Sequence, residues 1–241
     1  MQLPALIFRL GVVSAGALLA LAACGGGGGG GTTPPPANLS SAPGQAAISA
    51  YVQSSHQYTL NAKDTSNNTY VLQLSYAPNA GTSTFNGTPN ANSRTVSLTL
   101  SKNGVLVSNS ISTSYFTLSP VTTLGGTYAS GIPFFLAANQ SALPTTLTVG
   151  ASGPLDTLTY YHDSTQGAVD ATAVQTFSVM ANNSTTLIFC ANTVVSNVTA
   201  QGTADGMANS TESDCYTGDA SGNATLSYIT LSVSGVTLTF K

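Results

Sequence analysis

The chain has no tryptophan, a single glutamate and two histidines, and charged residues make up only 5% of its 241 positions. Soluble domains usually carry about a quarter of their residues as Asp, Glu, Lys and Arg. Five basic residues spread over the whole length cannot track a phosphate backbone. Nucleic acid is therefore excluded as a partner, and so is electrostatic attachment to an anionic membrane face. The lone glutamate, Glu212, leaves no Glu pair for glycosidase chemistry, and nothing selects a pair among the aspartates. No Gly-x-Ser-x-Gly elbow places a nucleophile for His162, which stands in Tyr160-Tyr161-His162-Asp163, and neither His56 nor His162 has zinc-site spacing. No catalytic residue, metal ligand or cofactor site is assigned from these patterns.

What is present is apolar: 42% of the residues are hydrophobic. Low charge with ample hydrophobicity is the opposite of a disordered composition, so Ser, Thr and Asn must supply the polar surface. The first 24 residues have their own pattern. Arg9 gives a positive start, Leu10 to Leu21 is an uncharged apolar run, and small residues precede Cys24. That is the layout of a secretory signal, and the run is shorter than the roughly 20 residues a spanning helix needs.

Within it, Leu21-Ala22-Ala23-Cys24 resembles the lipobox of bacterial lipoproteins. The resemblance covers residues 1–24 alone. It implies a signal peptide over residues 1–23, cleavage before Cys24 and lipid on the Cys24 sulfur, so that the membrane is a partner through covalent acyl chains. Gly25 in place of Asp after the cysteine implies sorting to the outer membrane, with the leaflet open. Loss of Arg9 leaves Lys63, Arg94, Lys102 and Lys241 against eight acids, a net charge of −4. Residues 24–44 read as a tether: seven consecutive glycines from Gly25, then Thr32-Thr33-Pro34-Pro35-Pro36, a flexible coil running into polyproline.

Residues 45–241 read as one all-β domain. Short alternating segments rich in Val, Thr, Tyr and Leu are broken by Gly, Asn, Pro and Asp. Tyr70, Leu72, Leu74 and Tyr76 share one face, and only Gln45 to Gln53 looks helical. Around Asn103-Gly104, two-residue closure pairs Lys102 with Val105, Leu100 with Val107, Leu98 with Asn109 and Val96 with Ile111. Around Ser234-Gly235 it pairs Val233 with Val236, Leu231 with Leu238 and Ile229 with Phe240, leaving Ser232, Thr237, Thr230 and Thr239 on the wet face. Further strands are expected at 145–149, 155–161, 174–180 and 185–191, for about nine to eleven in all. The uneven loop lengths favour an antiparallel β-sandwich, with a closed soluble β-barrel as the alternative.

With Cys24 assigned to lipid, Cys190 and Cys215 remain as an even pair in an oxidising compartment, and a disulfide is expected. Four of the eight acids, Asp205, Glu212, Asp214 and Asp219, lie in the Gly-rich stretch around Cys215, which reads as a solvated acidic loop and the expected contact site for a protein or glycan partner. The leading functional expectation is a lipid-anchored envelope protein with a β-domain as binding module. The alternatives are a carbohydrate-binding module, supported by ten tyrosines, and a hydrolase with an unrecognised site.

Overall fold

The structure, a computed structural model, describes residues 37–241; Cys24 and most of the expected tether lie outside the described residues. After strand β1 (Ser41–Pro43) and helix α1 (Gln45–Val52), the chain enters a run of strands: β2 (His56–Lys63), β3 (Thr69–Pro78), β4 (Ser83–Phe85), β5 (Thr88–Lys102), β6 (Val105–Leu118), β7 (Val121–Tyr128), β8 (Phe134–Ala138), β9 (Thr146–Thr148), β10 (Ser152–Tyr161), β11 (Val169–Ala181) and β12 (Thr186–Ser196). A short helix α2 (Ala200–Ala204) precedes β13 (Ser210–Asp219), β14 (Ala224–Val233) and β15 (Val236–Phe240).

Twelve of these strands form one antiparallel sheet in the order β15-β14-β13-β12-β11-β10-β8-β7-β6-β5-β3-β2. Each strand pairs with the next wall strand in sequence, and the two outermost meet: Asn61 and Lys241 exchange backbone hydrogen bonds of 2.8 and 3.0 Å. The sheet is thereby nearly closed into a barrel, an outcome within the antiparallel all-β fold expected from the sequence.

An eight-stranded barrel is just wide enough for wall side chains to fill, and diameter grows with strand number. Twelve strands need additional filling. One end receives α1, whose Ile48, Tyr51 and Val52 join the main core, together with Ala42 of β1 and Leu147 of β9, which pair as a small separate sheet. Gln45 fixes the helix by donating to the Leu143 carbonyl and accepting from the Val121 amide, at 2.9 and 2.8 Å. The opposite end is closed by α2 and Met207, which packs with Tyr128, Phe135 and Tyr160.

The wall side chains alternate large and small. One row of directly paired positions crosses β5 to β11 as Arg94, Ser114, Gly126, Phe135, Tyr160 and Ala171. A Cβ on Gly126 would stand 2.4 Å from the Phe135 ring, so the position has room for no side chain.

The same packing changes one expected register. Asn103 and Gly104 both take positive φ, 50° and 78°, and Lys102 pairs with Val105 as expected. A bulge between Leu100 and Ser101 then shifts the pairing, so Leu100 faces Ser108, Leu98 faces Ser110 and Val96 faces Ser112, and Ile111 is exposed. Serines on the inner face of β6 leave space for the long side chains beside them; the matched apolar pairs expected from the sequence would overfill it. At the C-terminal hairpin the expected register holds throughout, with Leu231 opposite Leu238, Ile229 opposite Phe240, and Ser232 and Thr237 hydrogen-bonded at 2.6 Å on the outer face.

Leu231→Ala or Leu238→Ala should destabilise the domain by about 2–5 kcal/mol in urea unfolding, while Thr239→Ala, on the outer face, should cost less than about 1 kcal/mol. Similar losses from the two faces would refute the register.

Candidate functional site

The eight acidic side chains fall into three groups. Asp64, Asp163 and Asp219 hold turns. Asp64 accepts from the Ser66 and Asn68 amides, Asp163 from Thr165, and Asp219 from the Ser221 and Asn223 amides. These local bonds hold each carboxyl below the usual carboxylate range, led by the Asn68 side chain for Asp64, Thr165 for Asp163 and Asn223 for Asp219.

The second group lies inside the barrel. Residues 210–219, expected as a solvated loop, form strand β13 between β12 and β14, and Glu212 and Asp214 point inward and are buried. Alternation explains this: Ser210, Glu212, Asp214 and Tyr216 occupy one face, and Thr211, Ser213, Cys215 and Thr217 the other. Glu212 and Asp214 are thus out of reach of a surface partner. The row Asp156, Gln175, Thr193, Glu212 crosses four adjacent strands, with the Gln175 amide donating to Thr193 Oγ1 at 3.1 Å. Arg94, 2% exposed, lies over the Tyr76 ring at 4.8 Å.

Burial, the charge of Asp214 and a mutual hydrogen bond push the Glu212 carboxyl well up. Burial also raises Asp214, to about 7, against the opposing pull of Glu212 and Arg94. Burial raises Asp156 to about 7 as well.

Arg94 Nη1 and Asp156 Oδ1 have no protein partner, and both residues line a cavity of about 60 Å3 walled mainly by Phe116, Phe135, Leu158, Phe177 and Phe189. Ligand pockets are usually about 300–1,000 Å3, and a water occupies about 30 Å3. The cavity therefore matches a pair of waters in size and is too small for a sugar ring.

The third group is at the α2 end. Asp205 caps the C-terminus of α2, and its Oδ2 lies 2.7 Å from His162 Nδ1, on the segment following β10. Asp170 of β11, fully buried, completes a set whose donor atoms all lie within 4.8 Å of one another. Gln201 Nε2 reaches both His162 Nδ1 and Asp205 at 3.2 Å. The hydrogen bond to Asp205 raises the His162 pKa. Burial works against the charged form of Asp205, yet bonds from His162, Gln201 and Asp170 hold its carboxyl low.

Close packing positions this set. The Thr199 amide donates to the Asp170 carbonyl, and Thr199 Oγ1 accepts from the Gly202 amide. A Cβ on Gly202 would stand 2.2 Å from the Asp170 carbonyl oxygen, so only glycine lets α2 lie this close to β11. The sequence places His162 and Asp205 43 positions apart, and no local motif joins them. The expected contact set is thus divided among the barrel interior (Glu212, Asp214), the α2 end (Asp205) and an α1-end turn (Asp219).

The expected disulfide is present, Cys190 to Cys215 with Cα atoms 4.0 Å apart. It joins directly opposite positions of β12 and β13 on the outer face, near the Tyr228 hydroxyl, and so braces the wall instead of pinning a loop. His56 is structural: its Nε2 donates to the Tyr51 carbonyl and its ring stacks on Tyr51 at 4.1 Å.

No protein-family model, curated protein or solved structure matches the chain. Function has to be argued from geometry. The His162–Asp205 pair has the orientation of a base and its orienting carboxylate, but no hydroxyl or thiol nucleophile belongs to the cluster. None of the ten tyrosines is exposed, so a row of rings for sugar stacking is missing from the described surface.

The interior carboxyls set a pH dependence. Asp156 and Asp214 have pKa values raised in the folded protein to about 7, so the stability they contribute is fully present below about pH 4 and is lost as pH rises through about 7. Urea unfolding should therefore show lower stability at pH 8 than at pH 5, with a shallower decline in Asp156→Asn. A flat profile between those pH values would show that both groups titrate normally.

Proposed function

We propose that the chain is a lipid-anchored envelope protein whose barrel is a binding module presenting its α2 end away from the membrane. The supporting observation is where the chain enters the barrel. The Leu39 amide bonds to the Asn183 carbonyl in the β11–β12 turn, and β1 and α1 follow immediately at that same end. Lipid on Cys24, reached through the preceding segment, ties the α1 end toward the bilayer. The turns at 64–68, 129–132, 162–168 and 197–209 all emerge at the opposite end.

A rigid scaffold carrying loops at the end far from its anchor suits recognition. The outer wall is mostly Ser, Thr and Asn, which keeps the barrel itself from sticking to neighbours. The partner is a protein or glycan of the envelope or its surroundings, and no reaction is assigned.

Two measurements test this reading. Cys24→Ser should abolish lipid labelling and release the protein from membranes; unchanged membrane partition of that variant would end the anchoring proposal. In intact cells a photo-crosslinking residue at exposed Ser164, at the α2 end, should capture a partner, whereas one at exposed Ser221, at the α1 end, should not. Adducts from Ser221 alone would reverse the orientation.

A further inference from the structure

We propose that His162, Asp170 and Asp205 form a binding site for a divalent transition-metal ion, of which zinc is the best-fitting member, at the α2 end of the barrel. The site is independent of the anchoring reading and would stand if that reading failed.

The donor set carries the argument. One imidazole nitrogen and two carboxylates, contributed by the segment after β10, by β11 and by α2, converge with their ligand atoms within 4.8 Å. Donors about 2.1 Å from a tetrahedral zinc stand about 3.4 Å apart, so the set must close by no more than about 1.4 Å. Rotation of the His162 side chain, 35% exposed, can supply that movement, while Asp170 is locked in the wall and Asp205 is 10% exposed.

Electrostatics points the same way. Two carboxyl groups are held together by a hydrogen bond between Asp170 and Asp205, Asp170 completely buried, and His162 Nδ1 stands 2.7 Å from Asp205. A dication can replace that hydrogen bond and accept an oxygen from each carboxyl group. On binding, the imidazole ligates as the neutral ring, with any Nδ1 proton moved to Nε2, and the proton of the Asp170–Asp205 hydrogen bond passes to solvent. Gln201 is placed to support Asp205 from outside the first ring of donors, its contact with His162 Nδ1 giving way to the metal.

The nitrogen donor also selects among ions. Calcium and magnesium take oxygen ligands, whereas zinc, manganese, cobalt and nickel accept an imidazole beside carboxylates. Three protein ligands leave a fourth position, and the partial exposure of His162 opens it to solvent. That is the arrangement in which a metal can take a ligand from a binding partner.

The test uses the full chain in detergent, titrated calorimetrically with Zn2+ at micromolar concentration in buffers of different ionisation enthalpy. The expected result is saturable binding of one ion per chain, with the proton of the Asp170–Asp205 hydrogen bond released. His162→Ala and Asp205→Asn should each weaken binding at least about tenfold, with Asp219→Asn, an acid held in a turn at the opposite end, as the unchanged control. Both tested side chains lie at the periphery, so far-UV circular dichroism should show the fold retained; Asp170→Asn is a third variant. Co2+ should give a visible absorption band in the wild type that His162→Ala loses. Absence of saturable zinc binding by the wild type, or equal binding by His162→Ala and Asp205→Asn, would overturn the proposal.

Discussion

The interior of a twelve-strand barrel has to be filled, and most of the unusual features of this protein answer that demand. Wall side chains alone do not reach across such a width. The chain meets the requirement with a helix and a two-stranded strap at one end, α2 and Met207 at the other, and tyrosines and phenylalanines between them. Each long inward side chain in turn needs small neighbours, which explains the serines of β6 and Gly126 against Phe135. Removing α1 would expose apolar wall across the whole opening; α1 is thus part of the core of the barrel.

Filling also accounts for the buried charges. Arg94, Glu212 and Asp214 project into the interior, and their desolvation has to be offset by the hydrogen bond between the two carboxyls, by the charge of Arg94 and by the Tyr76 ring. This interior is a structural network with a small cavity, and its chemistry is that of stability against pH. The α2 end differs. There the polar groups converge beneath a partly exposed imidazole, so a ligand can arrive.

Different parts of this organisation were legible in the sequence to different degrees. The C-terminal hairpin could be read to the residue because alternation of apolar and hydroxyl side chains fixes register wherever one face is buried. The Asn103-Gly104 turn was equally readable, but the bulge beyond it depends on side chains of strands far away in sequence. The stretch around Cys215 looked like a loop because its acids and glycines lower strand propensity; pairing on both sides overrode that local preference. His162 and Asp205 carried no shared signal, since they stand 43 positions apart and meet only through the packing of the α2 loop against the ends of β10 and β11.

By itself the sequence determined the antiparallel all-β class, the pairing of Cys190 with Cys215 and the apolar face of the C-terminal hairpin, because strand alternation, turn chemistry and an even cysteine count are local or compositional properties. Only the tertiary structure decided that the sheet curls until Asn61 meets Lys241, that Glu212 and Asp214 turn inward, and that Asp170 stands beside His162 and Asp205. Those outcomes depend on strand twist, shear and the volume to be filled, quantities summed over the whole barrel that no single segment of the chain encodes.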